Sequence, residues 1–450
     1  NGQFANILNF LHYNNLVNQP LSLEQINHFT IEFENNEKLD TKFHIIKKEK
    51  NDKSKSFKNI DEANNKIWNY TSKEGYLKCR VDDEKQLNVL FIQSLYVEET
   101  GTSTIKACTD LFNQNYYKIV IITSQLWEGD KMNSYIYNQL LFPKIDVRFN
   151  MAMKQTELNQ ELFENDRSLS FLNVDTCLPF DNWEEFKEQN PDRYDSIEHH
   201  RTKIFNPIPM EKINECNAER EYVLKRGYNR TATDILILTD TVAFGAGSNF
   251  IKTVQNNGGA IIASYGGNPN LSEEEIKKLD ASLDPAFVTS YVNTKESKAL
   301  KEEGFDIYIP YAEGFANEKN DTYPMAFLVN AVDEVTNIIH SYDDKYYDEF
   351  IDAASNIFEN YKENCNPNNT NLLLEADCTL EDNDTYAHGG YQCGDDGKWD
   401  KSTCKKSYCD IGYYYDRVEE KCIADICTND PDTVQIELNG KKNETITITK

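Results

Sequence analysis

The chain has 450 residues, 39% hydrophobic and 12% aromatic, which is enough for a sizeable core in two or three domains and too apolar for a disordered chain. A formal net charge of −28 excludes nucleic acid and anionic membranes as expected partners, since both are held by a concentrated basic surface. No stretch approaches the roughly 18 apolar residues needed to span a bilayer, and Asn1 in place of Met leads us to expect that any signal peptide is already removed or precedes this stretch.

Residues 1–80 are expected to form a small mixed lead-in. Ser22-Leu-Glu-Gln25 has the outline of a capping box, His28 to Phe33 alternates like a strand, and Asn35-Asn36 signals a turn before a second strand at Lys42 to Ile46. The basic cluster from Lys47 to Lys58 reads as solvated loop, and Asp61 to Tyr70 as a short helix. His12, His28 and His44 have no partner at metal-ligand spacing.

Residues 81–364 read as one α/β domain. Strand Asn88 to Gln93, a helix near Ser103 to Asn113, strand Lys118 to Thr123 and a helix from Lys131 to Phe142, stopped by Pro143, follow the parallel crossover order. Residues 144–230 look polar and loop-rich. They carry the adjacent pair His199-His200, which suits a metal poorly without a third ligand, so neither metal nor cofactor is expected.

Next comes strand Ile235 to Asp240, a small-residue elbow from Thr241 to Ser248, a helix with Phe250, Ile251 and Val254 on one face, and a strand ending in Gly266-Gly267. Short, nearly uninterrupted aliphatic runs suit a parallel sheet covered on both faces, in which function sits at the strands' carboxyl ends, here Thr239 to Ser248 and Ser264 to Asn268. Beyond them the sequence suggests a helix opened by Ser272, a strand at Asp306 to Pro310, a segment of ambiguous period from Pro324 to Ile339, and an amphipathic helix from Tyr342 to about Tyr361.

Cysteine usage then changes. Four cysteines, Cys79, Cys108, Cys177 and Cys216, are scattered over the first 364 residues, whereas Cys365, Cys378, Cys393, Cys404, Cys409, Cys422 and Cys427 crowd into residues 365–430. So polar a segment cannot bury enough apolar surface without staples, so three disulfides and an independently folded unit are expected there. An odd total of 11 leaves one thiol either buried and free or paired outside this stretch. Sequons at Asn69, Asn229, Asn270, Asn320, Asn368, Asn383 and Asn443 fit a secreted or cell-surface protein. Residues 431–450, with Asn439-Gly440 between two alternating runs, read as a hairpin beginning a further β segment, so a longer natural chain is expected.

Four segments in order carry a family resemblance: Leu90 to Ser94; Lys118 to Ile122 with Leu140-Leu-Phe-Pro143; Phe180-Asp-Asn-Trp-Glu-Glu-Phe186; and Leu238-Thr-Asp240 with the elbow and Gly266-Gly-Asn-Pro269. Together they resemble the C-terminal-processing (tail-specific) serine peptidases, specifically the fungal-type branch, over roughly residues 25–345. The resemblance implies a ClpP/crotonase-like α/β domain in which an elbow serine attacks the peptide carbonyl and glycine amides bind the oxyanion. In the tail, Gly389 to Cys393 with Asp396-Gly-Lys-Trp399 before Cys404 resembles the second half of a sushi module.

The departures from the family pattern carry the functional reading. Where the family reads Thr-Asp-Gly with the nucleophile five residues after the Asp, this chain has Gly245. The family's glycine-rich oxyanion segment is replaced by Ser124, Gln125, Leu126, Trp127, Glu128 and Gly129, in which the bulky residues and the Glu128 charge suit an oxyanion poorly. Tyr265 to Asn270 lacks the lysine base of bacterial members. Ser248, one helical turn past Gly245, is the counter-candidate nucleophile. Three functions stay open: a non-catalytic peptidase-like protein binding protein or glycan, a serine peptidase using Ser248, and a structural surface protein. Exposed aromatics around Trp127 would favour binding; amides facing Ser248 would favour catalysis.

Overall fold

The computed structural model describes, with short breaks, residues 67–265 and 346–427, together with 29–32, 38–41, 287–289, 302, 309–315, 332–336, 338, 433–434 and 446–447. In the lead-in, β1 (Phe29–Glu32) pairs antiparallel with β2 (Lys38–Thr41), and the expected strand at Lys42 to Ile46 lies outside the described residues. The capping box at Ser22 and the helix opened by Ser272 lie outside the described residues.

From there the chain runs through β3 (Tyr70–Thr71), β4 (Leu77–Asp82), β5 (Leu87–Ile92), α1 (Gly101–Phe112), β6 (Lys118–Thr123), α2 (Lys131–Leu141), β7 (Asn150–Met153), α3 (Glu157–Asn165) and β8 (Leu172–Asn173). It continues with α4 (Trp183–Phe186), β9 (Lys187–Pro191), β10 (His200–Thr202), β11 (Phe205–Asn206), α5 (Met210–Arg226), β12 (Ile235–Thr239), α6 (Ala246–Asn256) and β13 (Ile261–Tyr265). After β14 (Phe287–Thr289), β15 (Ile309–Phe315) and β16 (Glu334–Thr336) comes α7 (Tyr346–Asn360).

A seven-stranded sheet in the order β16-β13-β12-β6-β5-β4-β3 organises the domain. Strands β16, β13, β12, β6 and β5 are parallel, and β4 and β3 add an antiparallel edge. The sheet therefore starts at Tyr70, ahead of the boundary at residue 81 and inside the expected helix, because Leu77 and Cys79 alternate inward as a strand requires. Every residue of β5, β12 and β13 is buried, which suits their largely apolar runs. Leu90, Ile121, Ile237 and Ile262 face one layer with α1, α2 and α6, whereas Val89, Val120, Leu236 and Ile261 face Phe350, Ala354 and Phe358 of α7. Each such side chain contributes about 1.5–3 kcal/mol on burial.

Residues 144–230 are not the polar loop region expected. They hold β7, β8 and β11, which join β14 and β15 in a five-stranded sheet of order β14-β15-β7-β11-β8, its pairs antiparallel. The family-like segment at Phe180 forms the four-residue α4, capped by Asn182, whose Oδ1 accepts the Glu185 N–H at 2.9 Å. Its Phe186 stacks on Phe163 with centroids 4.9 Å apart, and Phe171 meets Phe205 at 4.2 Å. This segment anchors a core of aromatic rings.

The tail forms a three-stranded sheet of β17 (Leu372–Leu373), β18 (Ala387–Cys393) and β19 (Trp399–Cys409), then a hairpin of β20 (Tyr413–Asp416) with β21 (Lys421–Ala424). Beyond it, β22 (Thr433–Val434) pairs antiparallel with β23 (Ile446–Thr447). Cys365–Cys393, Cys378–Cys404 and Cys409–Cys422 close within the tail. Cys427 crosses to Cys177 in the α/β domain, so one staple of the tail reaches outside it. A further bridge, Cys79–Cys108, ties β4 to α1.

Cys216 is the free, buried thiol, and burial pushes its pKa up to about 12, so it stays protonated and inert in the fold. Alkylation without reductant is expected to modify no thiol in the native protein and one per chain in denaturant. Recovery of further thiols after unfolding would show that the bridges are not closed.

Candidate functional site

The expected site lies where β6, β12 and β13 end. β12 runs to Thr239, and α6 starts at Ala246 after Gly245, which adopts φ +56° and ψ −117°. A glycine adopts these angles without strain, whereas a side chain at this position would be strained. This elbow carries no side chain at Gly245, the position where the resemblance implies the serine.

The ends of the three strands are tied to one another. The Tyr265 hydroxyl donates to the Thr123 carbonyl at 2.7 Å, and the Thr123 hydroxyl donates to the Leu238 carbonyl at 3.1 Å. Both Thr123 and Tyr265 are 1% exposed. These groups therefore serve the sheet's own closure.

Two described residues of the would-be oxyanion loop do the same. Leu126 is 1% exposed and its backbone lies on α6, so close that a Cβ on Gly247 would come within 1.6 Å of the Leu126 carbonyl oxygen. Gly129, at φ +139°, bridges in parallel to Leu95, and a Cβ there would meet the Leu95 backbone at 2.4 Å. The Asp130 N–H and Asn133 Nδ2 both donate to the Leu95 carbonyl, at 2.9 and 3.0 Å, while Asp130 Oδ1 caps α2 by accepting the Met132 N–H at 2.7 Å. The loop is strapped to the end of β5 and pressed onto the elbow. Gln125, Trp127 and Glu128 lie outside the described residues.

Ser248 does not face open space. It is 0% exposed, and its Oγ has no hydrogen-bond partner among the described residues. One turn further along, Lys252 is 1% exposed. Between α6 and α2, Asn249 Nδ2 reaches the Ser134 hydroxyl at 3.4 Å and Asn138 Nδ2 donates to the Phe250 carbonyl at 3.3 Å. This polar seam inside two helices was not found from the sequence. The polar face of α6, with Asn249, Lys252, Thr253 and Gln255 all buried, reads locally as a solvated one.

Sequence reasoning also missed a cavity of about 250 Å³ at the opposite pole, lined by Ile119 and Ile235 at the strands' amino ends, by Phe142 and Lys144, and by Leu372 and Ser407 of the tail. Lys144 donates its Nζ to the Arg230 carbonyl at 2.7 Å, and burial pushes its pKa down to about 8. Arg230 in turn caps the end of α1, donating from Nη2 to the Phe112 carbonyl at 2.7 Å and to the Asn115 carbonyl at 2.9 Å. Below pH 8 Lys144 is expected to be mostly protonated and unreactive, and above it a neutral amine. Reductive methylation followed residue by residue is therefore expected to show a midpoint near pH 8 for Lys144, against about 10.4 for exposed lysines. A Lys144 midpoint above 10 would mean that this pocket is open to water.

His199 lies outside the described residues and His200 sits in β10. Among the described residues, no group of three His, Cys, Asp or Glu side chains converges as metal ligands would, and no helix is long and apolar enough to cross a membrane. Five disulfides fit an oxidising, extracellular setting.

No protein-family model and no curated protein sequence matches the chain. Among solved structures, it is similar to a putative peptidase from Parabacteroides merdae at 10% identity and a TM-score of 0.33, over 66% of this chain and 68% of that one. It is similar to mature CPAF complexed with lactacystin at 13% identity and a TM-score of 0.34, over 64% of this chain and 57% of that one. It is also similar to the photosystem II D1 C-terminal processing protease at 8% identity and a TM-score of 0.27, over 56% of this chain and 42% of that one. Likenesses this faint assign the chain no activity and no residue roles. What stands is a mixed α/β fold of several sheets with a disulfide-rich C-terminal region, whose structural neighbours include peptidases.

Proposed function

We propose that this is an extracellular, catalytically silent member of the tail-specific peptidase type, of the fungal branch, which acts by binding a protein or glycan ligand. The observation that carries the reading is at the elbow: Gly245 stands at the nucleophile position, and the next hydroxyl, Ser248, is wholly buried with the Leu126 backbone packed against the neighbouring Gly247. Acyl transfer needs nucleophile, base and oxyanion donors within hydrogen-bond reach of one substrate carbonyl. A buried hydroxyl under a strapped loop reaches none. The disulfide-stapled tail, tethered at Cys177–Cys427, then presents the surface for a ligand.

Fluorophosphonate labelling of the full chain, with adducts mapped by mass spectrometry, tests this. We expect no adduct on the native protein. A stoichiometric adduct on Ser248, lost in Ser248→Ala together with peptide cleavage, would overturn the reading in favour of a serine peptidase with a shifted nucleophile.

A further inference from the structure

The structure assigns Asn69 as an N-glycan acceptor whose sugar shields the edge that β3 forms on the central sheet among the described residues, an inference that rests on the extracellular reading above. Asn69-Tyr70-Thr71 is a sequon whose three residues are all exposed, with Tyr70 at 44%. Tyr70 and Thr71 are β3, the last strand at one edge of the seven-stranded sheet.

The two ends of the Asn69 side-chain amide are used differently. Its Oδ1 accepts the Val81 N–H at 2.9 Å, continuing the ladder on β4 one step beyond the two residues that β3 supplies, while the Asn69 N–H donates to the Cys79 carbonyl at 2.9 Å. Its Nδ2 donates to nothing among the described residues. Glycosylation takes place at that nitrogen. An oligosaccharide carried on a lipid pyrophosphate forms a bond from its anomeric carbon to Nδ2, Nδ2 loses a proton, and the lipid pyrophosphate leaves. The inward hydrogen bond through Oδ1 survives, so the fold accepts the sugar without loss.

The location gives the sugar a physical role. An edge strand presents unpaired N–H and C=O groups to any second chain, and proteins protect such edges with charge, proline, bulges or a cover. The two-residue length of β3 already limits that pairing, but neither residue is charged or proline, and the exposed Tyr70 ring adds an apolar contact for an incoming strand. A branched, hydrated sugar on Asn69 covers that approach.

The test uses the chain recovered from the cells that make it. Enzymatic release of N-glycans in ¹⁸O-labelled water is expected to convert Asn69 to labelled aspartate. Full-length Thr71→Ala, secreted from a eukaryotic host, is expected to lose one glycan step and to shift from monomer towards oligomer, whereas Thr71→Ser keeps both glycan and monomer. Unmodified Asn69 in a disulfide-bonded natural chain would overturn this inference and leave the extracellular reading intact. Unmodified Asn69 in a chain whose cysteines are all reduced would overturn both. A glycan at Asn69 with a fully monomeric Thr71→Ala variant would overturn the shielding role.

Discussion

Gly247→Ala is expected to destabilise the protein by about 3 kcal/mol, the upper end of ordinary overpacking losses. The added methyl would lie 1.6 Å from the Leu126 carbonyl oxygen, 2.6 Å from its carbon and 2.8 Å from the Leu126 Cγ. Two of those three atoms are backbone, so no rotamer change relieves the clash. Relief requires α6 or the 126 loop to move, and the loop is held by Gly129 against Leu95. Denaturant unfolding measures the loss. A cost below about 1 kcal/mol would show that the loop lifts off the elbow easily, which would also reopen the question of catalysis at Ser248. Ser248→Ala makes the contrasting control: it removes a buried hydroxyl that has no partner among the described residues, and it is expected to be neutral or slightly stabilising.

Removing the Cys177–Cys427 bridge with paired Cys177→Ala and Cys427→Ala substitutions is expected to cost more than removing any other bridge. The two residues are 250 apart in sequence, against 13 for Cys409–Cys422. Chain-entropy arguments give roughly 5 kcal/mol for the longer loop and roughly 3 kcal/mol for the shorter, with the larger figure an upper bound because the tail's other bridges shorten the effective loop. Beyond the fall in unfolding free energy, the tail loses its covalent hold on the domain, so limited proteolysis is expected to release it after cleavage between α7 and the tail. Unchanged stability together with an uncleaved tail would show that noncovalent packing, such as Leu372 and Ser407 over the cavity, already holds it.

Much of the central sheet was legible. The runs at Lys118–Thr123 and Ile235–Thr239 are strands within a residue of where the sequence puts them, and α2 begins at Lys131 as expected, because unbroken aliphatic segments between helices have one way to be buried. The second sheet was hidden for a local reason. Asn150 to Met153 has weak strand propensity, and α5 looks polar on average although Ile213, Cys216, Arg220 and Val223 are buried at helical spacing. That spacing was the available signal.

Composition and the crowding of cysteines after residue 364 were enough to establish a stapled tail, since a polar segment of that length cannot hold itself together by burial. Which cysteine crosses to the α/β domain left no local trace, because a pairing 250 residues apart is decided by the docking of two folded surfaces. The elbow divides in the same way. That Gly245 carries no side chain is written in the chain. Helical periodicity alone permits Ser248 to face a crevice one turn on; only the packing of Leu126 on Gly247, and of α2 along α6, decides that Ser248 points into the protein's interior.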